Sequence, residues 1–335
     1  MTWITDSVAV GHHGLTLPRV GLGTASLGNF LGSISDQQAS DTVADAFDAG
    51  VRYFDTAPLY GHGLAERRLS AGLGAHRAEA VISTKVGRLL RAGAPRDESQ
   101  YVDGEPFYTD VPDIGPLWDF SYEGVRTSLE ESLERLDVEH VDILNLHDPD
   151  EHFDAASTSA YHALRDLRAE GAVKGIGAGM NQTRVLTRLV ETCDLDVVLL
   201  AGRYTLLDQS SMADVLPACR QRGTSVIAGG VFNSGVLLDP SEGARFDYVP
   251  ADSRVLQKAR AIRDVCDRYD IPLGAAAIQF PLAHPQVGSL LIGARSAEEF
   301  RMDVDLLTTP VPDAFWHDLR TSGLIPEDVP TPEGA

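Results

Sequence analysis

The sequence predicts an α/β protein folded as one (β/α)8 barrel of the TIM type, spanning residues 1–335 as a single domain. Three observations predict it. Short apolar segments alternate with amphipathic helical ones through eight cycles, with no linker or low-complexity run between them. Three of the apolar segments end on a titratable group: Val51–Asp55 on Asp55, Ala80–Lys85 on Lys85 and Val141–His147 on His147. Pro58 and Gly61 then turn the chain just past Asp55 and deliver Tyr60 close by. Parallel barrels keep their chemistry at the C-terminal ends of their strands.

In order along the chain, residues 8–19 read as two short segments around Gly14, a hairpin in which Pro18 suits an edge position. Gly21-Leu22-Gly23-Thr24-Ala25-Ser26-Leu27-Gly28 follows the first strand. Ser26 stands where a G-x-G-x-x-G dinucleotide loop needs its third glycine, so a tight turn bringing backbone near a ligand is the better reading. Val43 and Phe47 share a helix face that Gly50 ends, and a second helix runs from Leu64 to Gly72. Residues 86–119 break the rhythm with repeated Gly and Pro among Tyr101, Phe107, Tyr108 and Trp118. Emerging beyond Lys85, this long stretch is expected to wall the substrate site.

Ser121 caps the next helix, whose Val125, Leu129, Leu133 and Leu136 follow helical spacing. After the strand to His147 come a helix ending near Gly171 and a strand at Val173–Gly177. Val185, Leu186, Leu189 and Val190 mark a helix, followed by strand Asp196–Ala201. Met212, Val215, Leu216 and Cys219 mark the sixth helix, ended by Gly223. Strand Ser225–Gly229, a helix over Ser253–Tyr269 and strand Ser289–Gly293 complete the cycles, and the Pro- and acid-rich tail beyond Pro310 reads as surface structure.

Hydrophobic content of 43% supports a substantial core. No apolar run approaches the roughly 20 residues of a spanning helix, and the first residues lack the form of a signal peptide. Cys193, Cys219 and Cys266 are few and far apart, so free thiols, a cytoplasmic setting and no metal site are expected. A net charge of −21 disfavours nucleic acid and anionic membranes as partners. It does not exclude a dinucleotide, because local amides and cations outweigh a diffuse surface charge.

Hydride transfer at a carbonyl carbon requires a proton to move at its oxygen. Tyr60 can supply that proton, Lys85 can favour the phenolate, Asp55 can hold Lys85, and His147 can orient the substrate oxygen. Taken singly, each has a plain alternative. Asp55 alone reads better as a helix cap or a surface salt-bridge partner, Lys85 as a solvated strand end, Tyr60 as a packing wedge and His147 as a satisfied core histidine. Together, at three successive strand ends, they point to one site.

The set Asp55, Tyr60, Lys85 and His147 resembles the tetrad of the aldo-keto reductase superfamily, and the resemblance runs from Val20 to about Leu307. Leu146-His147-Asp148-Pro149-Asp150 and Asn233-Ser234-Gly235-Val236-Leu237 resemble the branch holding D-threo-aldose 1-dehydrogenase, L-fucose or L-galactose dehydrogenase and pyridoxal 4-dehydrogenase. The resemblance implies a hairpin plugging the barrel bottom and a C-terminal segment folded over its mouth. It implies a nicotinamide cofactor near Gly23, Thr24, Asn181 and Arg203. Phosphate and adenosine contacts would come from Asn233, Ser234, Gly235 and Leu237, and from Gly293, Arg295 and Glu299. Trp118 and His147 would meet the substrate. Gly179, Met180 and Ala201 stand where the family places polar groups for the carboxamide, with Asn181 or Arg203 as substitutes, and Gly229 stands where it places a stacking aromatic.

The function implied is oxidation of a cyclic hemiacetal to a lactone, the substrate being a small sugar (L-fucose, L-galactose or another D-threo-aldose) or pyridoxal. Glu298 and Glu299 follow Arg295, and a carboxylate about 6 Å from a phosphate charge costs roughly 1–3 kcal/mol. NAD is therefore expected to be preferred, with NADP the alternative. Competing readings are a cofactor-sensing subunit with little turnover, a general aldehyde or ketone reductase, and a barrel isomerase or lyase. A monomer or small homo-oligomer is expected.

Overall fold

The computed structural model describes residues 3–102 and 104–332. Eight parallel strands close a barrel in chain order: β1 Val20–Gly23, β2 Tyr53–Asp55, β3 Val81–Val86, β4 Ile143–His147, β5 Gly175–Met180, β6 Val197–Ala201, β7 Ser225–Gly229 and β8 Val287–Gly293. The ring is sealed by β8 pairing β1, with Leu290 opposite Val20 and Gly293 opposite Gly23. Helices α1 Asp36–Asp48, α2 Leu64–Leu73, α3 Tyr122–Leu136, α4 Tyr161–Ala169, α5 Thr183–Thr192 and α6 Val215–Arg222 cover the first six crossovers. No described helix is long and apolar enough to cross a membrane.

Local chemistry sets the helix ends. The Ser35 hydroxyl accepts from Gln38 N and the Ser121 hydroxyl from Gly124 N, each satisfying an amide the helix leaves free. Gly223, at φ 71°, ends α6 in the left-handed conformation. Met212 lies outside that helix, in the short turn Ser210–Ala213.

Two expectations about the crossovers are corrected. Between β7 and β8 lie two helices, α7 Ser253–Arg268 and α8 Leu273–Gln279. Every residue of α8 is buried, and such an all-round apolar segment carries no amphipathic signal. The fifth strand is Gly175–Met180 and not Val173–Gly177. Its Gly-Ile-Gly-Ala-Gly-Met sequence is a poor strand former by itself, and the ladders to β4 and β6 set its limits. Gly177 is required there, since a Cβ would fall 2.3 Å from Asn145 Oδ1.

Ser7–Val10 and Leu15–Pro18 form the expected hairpin. Its Val10, Leu15 and Leu17 join Tyr53, Ile143, Val197, Ile227 and Leu291 in an apolar cluster inside the barrel, so the hairpin closes the bottom. Asp196 ties the turn down. It pairs with His13 at 2.7 Å and Arg168 at 2.8 Å, and accepts from Ile176 N.

After β8, helix α9 (Ala297–Thr308) packs on α8, and α10 (Asp313–Thr321) packs on α7 with Phe315, Trp316 and Leu319 buried. The tail is thus core-bearing, and among the described residues none beyond Tyr248 lines the cleft at the mouth. The expected fold of the C-terminal segment over the mouth is not found.

Asp303 on α9 is only 7% exposed, and burial with nearby Glu299 pushes its carboxyl up to about 7. Its folded value lies above the unfolded one, so its stabilising contribution is present below about pH 4 and is lost as pH rises towards 7. Asp303→Asn should flatten the stability profile across that window, gaining roughly 2–4 kcal/mol at pH 8 relative to pH 5. Urea unfolding at the two pH values checks it.

Candidate active site

Asp55, Lys85 and His147 end or nearly end β2, β3 and β4, so adjacent strands deliver them to the same rim. Lys85 Nζ donates to Asp55 Oδ2 at 2.6 Å and to the Thr56 carbonyl at 2.8 Å. The other Asp55 oxygen accepts from the Ser83 hydroxyl at 2.6 Å, and Tyr53 Oη lies 3.0 Å from that hydroxyl. Lys85 is 1% exposed, so this buried cation is fixed by a fully bonded carboxylate.

Tyr60 follows β2 on a turn whose amide pairs with the Ala57 carbonyl. Gly28 and Gly61 let two backbones meet there, and a Cβ on Gly28 would lie 2.5 Å from the Tyr60 carbonyl carbon. Lys85 Nζ stands 4.5 Å from the centre of the Tyr60 ring, facing its π surface. His147 meets Tyr60 edge-on, with ring centres 5.7 Å apart.

Burial raises the Tyr60 phenol well above its ordinary value, and Asp55, Asp148 and Tyr248 add to the effect. This corrects the expectation that Lys85 draws Tyr60 towards neutrality, since the ammonium addresses the ring and its charge is matched by Asp55. Burial, then Arg88 and Lys85, hold His147 well below its ordinary value, so the imidazole is neutral. The site therefore presents a phenol able to donate a proton beside a neutral imidazole able to orient an oxygen.

The mouth opens into a cleft of ≈ 740 Å³ that Tyr60, Lys85, His147 and Trp118 line. Residues 86–119 form much of its wall, as expected, but they are more regular than the sequence indicates. Arg88–Arg91 pairs antiparallel with Gly115–Trp118, and Tyr101–Val102 with Glu105–Pro106. Gly and Pro interrupt these short ribbons, which hides them from pattern reading. Above the cleft, Phe30 packs against Phe107, Tyr108 and Tyr248, joining the segments after β1, β3 and β7.

The candidate cofactor residues divide into groups. Gly23 pairs with Asp55 and Gly293, while Thr24 donates through its hydroxyl to the Asp55 carbonyl, so both brace the catalytic rim. Asn181 lines the cleft beside Gly179, Met180 and Ala201. These small or apolar residues line one side of the ≈ 740 Å³ cleft and crowd it little, and so the site fits a nicotinamide. Arg203 is engaged elsewhere, holding Asp247 through two bonds at 2.9 and 2.7 Å while its Nε donates to the Asn181 carbonyl. It fastens the segment after β7 and is not free for a carboxamide.

Asn233 bonds Thr205 and the Gly202 carbonyl, Ser234 accepts from Tyr248 N, and the Leu237 side chain is fully buried. At Gly235 a Cβ would meet nothing within 4 Å, so that position of the stretch is open. Gly293 is open too, and Glu299 folds back to accept from Arg295 N at 2.8 Å, at the start of α9. Beyond the wall expected of residues 86–119, sequence reasoning gave no individual role to Arg88, Tyr108, Asp148 or Tyr248, which the structure places in the cleft wall. Tyr108 stood out only as one aromatic in an aromatic-rich stretch, and no local signal marked Arg88.

The aldo/keto reductase family model matches residues 19–322. The chain belongs to the aldo/keto reductase family. This aldo/keto reductase is 42% identical to D-threo-aldose 1-dehydrogenase of Pseudomonas sp., over 93% of the chain and 96% of the relative. It is 40% identical to pyridoxal 4-dehydrogenase of Microbacterium luteolum, over 96% and 98% respectively. L-galactose dehydrogenase of Arabidopsis thaliana is 30% identical over 90% and 87%. A holo aldo-keto reductase structure from Bacillus halodurans superposes with a TM-score of 0.74 at 23% identity, covering 95% of this chain and 96% of that one. The protein is thus an oxidoreductase acting on CH–OH or carbonyl groups with a nicotinamide cofactor.

Tyr60→Phe should lower kcat by about 10²–10⁴-fold while leaving cofactor Kd within about twofold, as read by fluorescence titration. Lys85→Met strands the Asp55 carboxylate and should cost about 3–5 kcal/mol of stability. Lys85→Met with Asp55→Asn should recover most of that stability without recovering activity, as chemical denaturation and turnover would show.

Proposed function

We propose that this aldo/keto reductase oxidises a cyclic hemiacetal to a lactone. The substrate would be an aldose (L-fucose, L-galactose or another D-threo-aldose) or pyridoxal. The observation that carries the proposal is the convergence of Tyr60, His147 and the Lys85–Asp55 pair on a polar cleft. The relatives at about 40% identity, one acting on aldoses and one on pyridoxal by their names, supply the substrate class.

The nicotinamide, when bound, takes up or gives back the hydride. The protein's own groups manage the oxygen. Neutral His147 holds the substrate oxygen, and Tyr60 exchanges a proton with it, receiving it during lactone formation and returning it in carbonyl reduction. Lys85 sets the position and field of the Tyr60 ring, and Asp55 holds Lys85. Because the phenol is raised, proton donation is supported through neutral pH, while oxidation requires its proton to leave. Reduction should therefore be nearly level from pH 6 to 9 and oxidation should climb with pH, a comparison that initial rates in both directions would make.

NAD is the proposed cofactor, with NADP the alternative. The Glu299 carboxylate, folded onto Arg295 N, brings negative charge to the helix start where an adenosine phosphate would lie. Glu299→Gln keeps a hydrogen-bond acceptor and removes the charge. It should raise kcat/KM for NADP by roughly tenfold and leave that for NAD little changed. A wild-type preference for NADP above tenfold would refute the assignment. Product identity is tested by early-time mass spectrometry, where direct appearance of the free acid before any lactone would reject the hemiacetal. The proposed cytoplasmic setting accords with the three buried free cysteines, and a monomer or small homo-oligomer is the proposed assembly.

A further inference from the structure

Arg88 leaves β3 through Gly87, whose φ of 112° turns the chain into the wall of the cleft. Its side chain is 3% exposed, and its guanidinium lies over the Trp118 ring, 3.7 Å from the ring centre. It donates to the His147 carbonyl at 3.3 Å and to Asp148 Oδ2 at 3.4 Å, both longer than a charge-assisted bond requires. Its buried Nε has no partner among the described residues. A five-donor group is thus held in the substrate wall with bonding capacity in reserve.

Asp148 faces it. The residue takes φ 43°, rare outside glycine, with its amide bonded to the Gly179 carbonyl at 3.0 Å. That conformation turns the carboxylate into the cleft, where it is 37% exposed and one oxygen stands 3.5 Å from His147 Nε2. His147 is the group that holds the reacting oxygen. A second substrate oxygen one carbon away would fall between Asp148 and Arg88, because neighbouring oxygens on a diol are separated by about a hydrogen-bond length.

We propose that Arg88, Asp148 and Trp118 form a subsite that recognises the hydroxyl on the carbon next to the reacting carbon. The hydroxyl donates to Asp148 and accepts from Arg88, while Trp118 backs the guanidinium and limits its movement. The proposal rests on the hemiacetal reading and concerns its aldose substrates. An aldose carries a hydroxyl at C2, next to the reacting C1. A substrate lacking that hydroxyl leaves a buried donor and an acceptor unsatisfied, which is the strongest basis for discrimination a polar site has.

The test is sugar binding to the NAD-loaded protein by saturation-transfer NMR, using L-fucose against 2-deoxy-L-fucose. In the wild type the deoxy sugar should bind ten times more weakly or worse than its parent. The ratio should fall below about three in Asp148→Asn and in Arg88→Met. Thermal melting and NAD affinity report whether each variant is folded, and Asp148→Asn, nearly isosteric, serves if Arg88→Met does not fold. Equal affinities of the two sugars for the wild type, no binding of L-fucose, or a ratio that survives in a folded variant would overturn the subsite. Turnover separates the two levels. Discrimination without lactone formation retains the subsite and rejects the hemiacetal, whereas equal lactone formation from both sugars does the reverse.

Discussion

A lysine and an aspartate are buried together at the top of a barrel, and the cost of burying them governs how the surrounding residues are used. The carboxylate is satisfied twice, by Lys85 and by Ser83, and the ammonium also reaches the Thr56 carbonyl. Desolvated ions require such complete bonding to be tolerated. The requirement reaches downward, because Ser83 contacts Tyr53, whose ring belongs to the barrel-bottom cluster that the hairpin completes. Closing the bottom and holding the Lys85 ammonium are parts of one packed column.

The same burial controls proton chemistry. Enclosure raises the Tyr60 phenol and lowers His147, so both groups stay neutral near pH 7. Lys85 does not act as an isolated positive charge beside the hydroxyl, since Asp55 balances it and it faces the ring. Positioning and field are what the lysine contributes, and the phenol remains a proton donor.

Around this rigid rim the walls come from crossovers rather than strands. The segments after β1, β3 and β7 meet through Phe30, Phe107, Tyr108 and Tyr248, and the Arg203–Asp247 pair fastens the last of them. Strand ends give precise placement of catalytic groups, whereas long crossovers can vary without disturbing the barrel.

The sequence by itself determined the barrel, the hairpin and the grouping of four candidate site residues. Strand–helix alternation, glycine stops and serine caps act locally, and three titratable residues at strand ends, with Tyr60 on the turn beyond Asp55, are legible from their positions. It missed α8, because a wholly buried helix has no polar face to give a period. It misplaced β5, because a glycine-rich strand exists only through its two neighbours. Tertiary structure alone decided that Arg203 and Asn233 hold loops, that Leu237 lies in the core, and that Arg88 and Asp148 face each other beside His147. These depend on contacts between residues dozens of positions apart, where side-chain direction and burial set the role and residue type does not.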